Sequence, residues 1–225
     1  PRAAPRHRSA GLVVTIMPYN LDGFRVRVWK EMLHVYDVAV VGAGPAGASA
    51  ATFTARAGLK TLLVDADQSM TRRAWIPNHL GFPEGVAGPD LVDRGKEQAQ
   101  KAGAELVTAK ITALNRAGDG FQLKAEDGRE FTARQVILCT GPLCDLARAA
   151  GAEVVAAKEP RMKEAVVVDA NGQTRVPGLW AAGTCAGVSV HTIITAGDGA
   201  RVAINLVSAV KGARHVDHEV MPASK

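Results

Sequence analysis

Residues 35–65 decide the fold, and they read VYDVAVVGAGPAGASAATFTARAGLKTLLVD. A short apolar strand at residues 38–41 runs directly into a Gly-x-Gly-x-x-Gly turn. A helix of small residues follows, and a second apolar strand at residues 61–64 is closed by Asp65. This order of strand, glycine-rich turn, helix, strand and acid is typical of a βαβ unit that binds a dinucleotide.

Each glycine of this turn has a separate mechanical role. Gly42 permits the tight turn out of the strand, and Gly44 lets a pyrophosphate approach the backbone because it carries no side chain. Gly47 lets the helix pack closely against the sheet. The spacing therefore predicts a nucleotide site as well as a βαβ fold.

The remaining parts of the unit supply polar groups for such a ligand. The helix that begins near Pro45 and Ala46 presents backbone N–H groups and a partial positive charge to phosphates. Asp65 lies 23 residues after Gly42, where its carboxylate can accept hydrogen bonds from ribose hydroxyls. We expect Ala66 to line the same site. The fingerprint alone does not separate FAD from a nicotinamide dinucleotide.

Composition narrows the functional classes. The 225 residues carry a net charge of +5, but residues 1–31 hold six Arg/Lys and two acids, which contribute +4. The rest of the chain is therefore about neutral, and this excludes a basic nucleic-acid face. Three cysteines and six histidines indicate neither a disulfide framework nor a metal site. Without a recognisable membrane segment, we expect a soluble, cytoplasmic protein.

The pattern divides the chain into a basic, disordered extension (residues 1–31), one domain (36–211) and a tail (212–225). Within the domain, residues 105–114 alternate as one strand, and residues 135–139 form a separate buried strand. A hairpin is predicted around Asp127-Gly128, and a long helix over residues 191–210. The loop at residues 68–88 is long enough to be functional.

Further motifs follow in a fixed order. The loop W-x-P-N-H-x-G-F-P-E-G spans residues 75–85, V-I-L-C-T-G spans 136–141, V-P-G-L-W-A-A-G spans 176–183, and A-G-D-G spans 196–199. Over roughly residues 36–211 this order resembles the FAD-binding domain of the low-molecular-weight thioredoxin reductases. The resemblance implies an α/β, Rossmann-like FAD-binding domain with a parallel sheet, flanking helices and a small β-meander.

The resemblance also implies a set of residues that contact FAD. Thr184 stands where the family has an Asp that bonds the ribityl chain, so a hydroxyl replaces a charge. The residues expected at the cofactor are Gly42, Gly44, Pro45, Ala46, Gly47, Asp65, Ala66, Asn78, Ile111, Thr140, Gly141, Gly183, Thr184, His191 and Thr192.

Two side chains are candidates for a catalytic role. By the resemblance, His191 lies at the N-terminus of the final helix beside the flavin's pyrimidine edge, where it can donate a hydrogen bond or relay a proton. Its alternative role is a structural helix-end histidine. Cys185 is a second candidate, as a thiol near the ribityl chain. Cys139 and Cys144 are interpreted as packing residues.

The chain departs from the family between Gly141 and Val176, which span only 36 residues. That is too short for a second nucleotide-binding domain, and the sequence has no second Gly-x-Gly-x-x-Gly and no C-x-x-C. We therefore expect an FAD-dependent electron-transfer protein that receives electrons from a flavin reductase, a ferredoxin or a thioredoxin-like partner. The resemblance also implies a homodimer. The alternatives are a non-catalytic FAD-binding redox sensor and an NAD(P)H-dependent disulfide reductase with an improvised nicotinamide site.

Overall fold

A computed structural model describes residues 35–219. The extension predicted over residues 1–31 lies outside this range, as does the end of the predicted tail. The strands are β1 (Val35–Val41), β2 (Thr61–Asp65), β3 (Trp75–Ile76), β4 (Val86–Ala87), β5 (Glu105–Thr108), β6 (Ile111–Ala117), β7 (Gly120–Ala125), β8 (Glu130–Leu138), β9 (Val154–Ala156), β10 (Glu164–Val166) and β11 (Leu179–Ala181). The helices are α1 (Pro45–Arg56), α2 (Gly88–Lys101), α3 (Asp145–Ala149) and α4 (Thr192–Lys211). Two 3₁₀ turns, named here the loop turn (Met70–Arg73) and the floor turn (Gly183–Ala186), complete the fold.

The main sheet has the strand order β5-β2-β1-β8-β7-β6, with β11 beside β8. Strands β5, β2, β1, β8 and β11 are paired in parallel, whereas β6, β7 and β8 form an antiparallel meander. The predicted α/β class, with its parallel sheet, flanking helices and meander, is confirmed. The βαβ unit at residues 35–65 forms the centre of this sheet.

Strand β1 is apolar on both faces because both faces are covered. Val38 and Val40 pack in one core layer with residues of α1 and α4. Ala39 and Val41 pack in the opposite layer with residues of the meander and α3. This alternation places the end of β1, and hence the glycine turn, between the two core layers.

Small residues allow α1 to lie very close to its neighbours. A Cβ added at Gly47 would lie 1.7 Å from the Gly42 carbonyl oxygen, and one added at Gly199 of α4 would lie 2.0 Å from the Ala46 oxygen. Helix α4, with its 20 residues, is long and apolar enough to cross a membrane by length and composition alone. Its buried face packs against α1. This packing in the core explains why α4 is apolar.

Two strand assignments from the sequence are wrong. Residues 105–114 form two strands, since β5 pairs in parallel with β2 and β6 pairs antiparallel with β7. The chain turns between them, where the Ala109 N–H donates to the Asp65 carbonyl oxygen. Conversely, the strand predicted at residues 135–139 continues from the hairpin strand, because β1 pairs with β8 along most of its length.

The last parts of the domain are helix α4 and the segment that follows it. His191 is the N-cap of α4, so this helix begins one residue later than predicted. Beyond α4, the Asp217 carboxylate lies 2.8 Å from Nε of Arg56 in α1, and the His215 N–H donates to Ser208 Oγ at 3.0 Å. The described part of the predicted tail thus contacts the domain.

Candidate functional site

A cavity of about 650 Å³ opens at the carboxyl ends of β1, β2, β8 and β11. This is the edge at which open parallel sheets bind their ligands. Most of the residues predicted to contact a cofactor line it. They are Gly42, Gly44, Pro45, Ala46, Asp65, Ala66, Ile111, Thr140, Gly141, Thr184 and Thr192.

The glycine turn forms one wall of this main cavity. Gly42 has φ +96°, and its position against the Cys139 carbonyl oxygen leaves no room for a Cβ. Gly47 is not in the lining but packs against Gly42, as its predicted role requires. Gly44 is the N-cap of α1 and makes no side-chain cap, and the first turn carries no acid. The positive end of the α1 dipole therefore faces the main cavity.

Asp65 has a partner that sequence reasoning missed. Its Oδ1 accepts a hydrogen bond from the Ala43 N–H at 3.0 Å, and Lys96 Nζ lies 2.5 Å from its Oδ2. Lys96 also contacts Asp67 Oδ1 at 2.7 Å. Burial lowers the pKa of Lys96, but these two carboxylates more than offset that effect, so its pKa is raised. The contacts with Ala43 and Lys96 fix the orientation of the Asp65 carboxylate.

The sequence did contain a signal for Lys96. Val92 and Ala99 of α2 are buried, and residues 92, 96 and 99 share one helical face. A lysine on the apolar face of a helix predicts a buried carboxylate partner, because a buried charge must be compensated. The identity of that partner was not readable from the spacing, since Asp65 lies on another element.

The floor turn positions Thr184 against the main cavity. Gly183, with φ +77°, donates its N–H to Asp198 Oδ2 of α4 at 2.7 Å. Asp198 is buried, and Arg201 donates to its Oδ1 from Nε at 3.0 Å and from Nη2 at 2.8 Å. Asp198 of the A-G-D-G motif thus holds the turn that carries Thr184, but it does not itself line the cavity. Gly183 itself does not line the cavity.

The two histidines nearest the main cavity differ in placement. The exposed His191 caps α4 by its backbone alone, and its Nδ1 lies 2.9 Å from Ser189 Oγ. His79 lies 2.9 Å from Oγ1 of Thr192, a lining residue, through its own Nδ1. Burial lowers the pKa of His79. The structure therefore brings His79, rather than His191, into contact with the cavity wall, while Asn78 is exposed.

Cys185 lies in a core environment rather than at the site. It is fully buried, and its Sγ donates to the Leu138 carbonyl oxygen at 3.2 Å. Burial raises its pKa to about 11, so thiolate is scarce at neutral pH. Reactive cysteines have the opposite character, a lowered pKa and partial exposure. The redox role expected for Cys185 is not supported by this placement.

Cys139 and Cys144 are also buried, in opposite core layers. Burial raises the pKa of both thiols. Within residues 35–219, no group of three or more His, Cys, Asp or Glu side chains is arranged to hold a metal ion.

The long loop that follows β2 supplies much of the remaining lining. The lining residues from this loop are Gln68, Ser69, Met70, Thr71 and Ala74. Arg72 of this loop pairs with Asp67 and Asp93. Trp75 is 65% exposed and packs on Gly85 rather than over the cavity.

Comparisons with known proteins agree with this geometry. Residues 36–141 and 85–200 match the family model described as pyridine nucleotide-disulphide oxidoreductase. A thioredoxin reductase from Aquifex aeolicus is 40% identical over 121 residues, which are 52% of this chain and 38% of the relative. One from Peptoclostridium acidaminophilum is 35% identical over 130 residues, which are 56% of this chain and 41% of the relative. The chain thus spans about two fifths of the length of these relatives.

Solved structures show the same fold at low sequence identity. A thioredoxin reductase from Gloeobacter violaceus superposes with a TM-score of 0.69 at 18% identity, covering 84% of this chain and 100% of the other. A ferredoxin-flavin thioredoxin reductase from Clostridium acetobutylicum superposes with a TM-score of 0.63 at 19% identity, covering 80% and 99%. By its family match, its relatives and its fold, this chain belongs to the pyridine nucleotide-disulphide oxidoreductases and resembles the FAD-binding domain of the thioredoxin reductases.

Proposed function

We propose that this chain binds FAD and acts as an FAD-dependent oxidoreductase. One observation carries the proposal: a single cavity joins the dinucleotide turn after β1 to the floor turn and to the N-terminus of α4. Its volume of about 650 Å³ lies within the range of small-molecule and cofactor sites.

The groups around the main cavity fit FAD in their chemistry. The first turn of α1 would hold the pyrophosphate with backbone N–H groups. Asp65 Oδ2 is buried, and apart from its ion pair with Lys96 it accepts no hydrogen bond from the described residues. It is therefore an acceptor suited to a ribose hydroxyl. The Thr184 hydroxyl, on the turn held by Asp198, would bond the ribityl chain.

When bound, FAD supplies reversible one- and two-electron chemistry. The residues at the far end of the main cavity favour added negative charge, because the positive end of the α4 dipole lies at Thr192. The Thr192 hydroxyl is in hydrogen-bond contact with His79 Nδ1, so this pair can hold or exchange a proton there. Val190 and Leu143 add apolar side chains to the lining.

We further propose that electrons reach the site from a protein partner, such as a flavin reductase, a ferredoxin or a thioredoxin-like protein. Residues 142–175 are occupied by α3 and the β9–β10 hairpin, and this leaves no room there for a nucleotide-binding domain. Homodimer formation and a cytoplasmic location are parts of the same proposal. Three free buried cysteines are in keeping with a reducing compartment.

Reconstitution with FAD tests the cofactor assignment. We expect the purified chain to take up FAD in equimolar amount and to release FAD, rather than FMN or NAD, on denaturation. Gly44→Leu should lose FAD because its side chain would enter the main cavity, while its φ of −66° accommodates any residue. Gly197→Leu is the control, since a Cβ there meets no atom within 4 Å. A wild-type protein that stays colourless with FAD contradicts the proposal.

Stopped-flow reduction separates the three functions. We expect slow bleaching of the flavin by NADPH or NADH and fast bleaching by reduced ferredoxin or a flavin reductase. Fast reduction by NAD(P)H alone favours a disulfide reductase with an improvised nicotinamide site. A flavin that exchanges electrons slowly with every donor, and whose redox state changes the oligomeric mass in sedimentation, favours the redox sensor.

A further inference from the structure

Large apolar side chains are exposed around one end of the main cavity. Val190, which lines the cavity, and Ile193 and Ile194 in the first turn of α4 are between 37% and 45% exposed. Leu80 is 86% exposed and follows His79, which contacts the first residue of α4 through Nδ1. We name Leu80, Val190, Ile193 and Ile194 the mouth patch. Clustered exposed apolar side chains are typical of surfaces that bind another macromolecule.

A basic loop lies directly beside the mouth patch. It joins β9 to β10 over residues 157–163, and we name it the basic tip. Its sequence AKEPRMK contains three cations and one acid, which give a formal charge of +2. The acid, Glu159, accepts hydrogen bonds from Ser189 Oγ at 3.0 Å and from the Val190 N–H at 3.1 Å. These bonds fasten the basic tip to the segment that leads into α4.

The three cations of the basic tip, Lys158, Arg161 and Lys163, are exposed. None of them forms an ion pair or a side-chain hydrogen bond with another residue of the described range 35–219. Met162, between two of them, is buried and anchors the loop. The basic tip therefore presents uncompensated positive charge on an anchored backbone beside the mouth patch.

Arg161 occupies a backbone conformation that arginine rarely adopts. Its φ is +70°, in the left-handed region that favours glycine or asparagine over residues with a larger side chain. No contact of the Arg161 side chain within residues 35–219 offsets this strain. Folding stability therefore does not explain an arginine at this position, and strained backbone of this kind is concentrated at functional sites.

An apolar centre beside a cationic rim favours a partner protein with an acidic surface, because opposite charges steer association and fix orientation. A second copy of this chain fits the surface less well, since a two-fold contact would bring two basic tips of the same charge together. The mouth patch also borders the end of the main cavity at Thr192. A partner that docks there lies beside the part of the cavity that favours added negative charge.

We propose that the mouth patch and the basic tip form the docking surface of an acidic electron-carrier protein. The inference rests on the proposed function, whose electron donor it identifies by charge and by docking site. Two reduced carriers dock in turn, and each is oxidised by one electron. The two electrons, with one proton from solvent, reduce FAD to FADH⁻.

Stopped-flow reduction by a reduced plant-type ferredoxin, an acidic protein, tests the docking surface. We expect the second-order rate constant to fall steeply with added salt, because salt screens the steering charges. Arg161→Glu should lower this rate constant by a factor of about 3–10 at low ionic strength and weaken its salt dependence. Lys124→Glu is the matched control, because Lys124 is exposed and has no ion pair within the described residues but lies in β7 of the meander.

Two further variants separate docking from folding. Arg161→Asn relieves the left-handed strain, so it should melt at the wild-type temperature or higher and yet react more slowly with ferredoxin. Ile194→Ser removes an apolar contact and should raise the Kd for oxidised ferredoxin about tenfold. Calorimetry measures this Kd without any flavin reaction. Both variants should keep the wild-type rate with reduced methyl viologen, a small donor that needs no protein contact.

A ferredoxin rate that does not change with salt, or that is equal in wild type and Arg161→Glu, overturns the docking surface. Binding to anionic phosphatidylglycerol vesicles in place of ferredoxin also overturns it, as does a dimer that Ile194→Ser dissociates with an unchanged ferredoxin rate. If methyl viologen still reduces bound FAD in these cases, the proposed function stands. If no FAD binds, but Arg161→Glu weakens a salt-sensitive binding of ferredoxin, the docking surface stands and the proposed function fails.

Discussion

Asp198 shows how one buried carboxylate organises the site. Its Oδ2 accepts the Gly183 N–H at 2.7 Å, and its Oδ1 accepts from Arg201. Asp198→Ala should lower the free energy of unfolding by about 1–3 kcal/mol because a buried N–H is left unpaired. FAD content should also fall, since Thr184 sits on the turn that Asp198 holds. Urea unfolding measures the first effect and flavin absorbance the second.

Asp198→Asn is the control for this change, because its amide oxygen still accepts the Gly183 N–H. It should retain more stability and more FAD than the alanine variant. If wild type and Asp198→Ala unfold at the same urea concentration, the Gly183 turn is held by its own backbone and does not depend on Asp198.

His79 predicts a pH dependence of stability. Its pKa in the fold is lowered from 6.5 by burial, so the unfolded chain binds a proton more readily than the folded chain. The stability that depends on neutral His79 is therefore fully present above about pH 6.5. It is lost as the pH falls towards the folded-state pKa. Wild type should lose more stability between pH 8 and pH 5.5 than His79→Gln, which keeps a hydrogen-bonding group near Thr192. Parallel stability curves for the two proteins would contradict this role.

The contact between α1 and α4 depends on the size of one residue. A Cβ at Gly199 would lie 2.0 Å from the Ala46 carbonyl oxygen, whereas one at Gly197 meets no atom within 4 Å. Gly199→Ala should therefore separate the two helices and cost about 1–3 kcal/mol through overpacking. Gly197→Ala, two residues away in the same helix, should instead stabilise by up to about 1 kcal/mol through helix propensity.

Thermal denaturation of both variants measures this difference. A destabilised Gly199→Ala beside a stabilised Gly197→Ala is the expected pair of results. Similar melting temperatures for the two variants would show that α4 shifts to accommodate the added methyl group.

The ends of the strands depend on their pairing partners and not on the local sequence alone. The apolar alternation of residues 105–138 predicts strands, but it does not say where one strand ends and the next begins. Strand β8 is continuous because β1 pairs along it, and β7 and β11 divide its other edge. The break at Ala109 exists because β5 and β6 pair with different partners. Pairing partners are distant in sequence, so these boundaries were mispredicted.

The whole molecule determines the reactivity of its thiols. All three cysteines are buried and free, and burial raises their pKa values. We expect the native protein to react slowly with a thiol reagent at pH 8. The denatured protein should react with three equivalents of the reagent, one for each cysteine. Fast titration of one thiol in the native state would reopen a redox role for that cysteine.

The sequence by itself determined the βαβ unit, the position of Asp65 and the part of the main cavity's lining that this unit contributes. These features depend on glycine spacing and apolar runs within one short stretch, where the chain connectivity places the groups together. Only the tertiary structure decided which side chains reach that stretch from elsewhere. Lys96 meets Asp65 from α2, Asp198 meets Gly183 from α4, and His79 meets Thr192 across 113 residues. The reason is physical: contacts between elements depend on which faces pack together at the carboxyl edge of the sheet, and no local pattern encodes that packing.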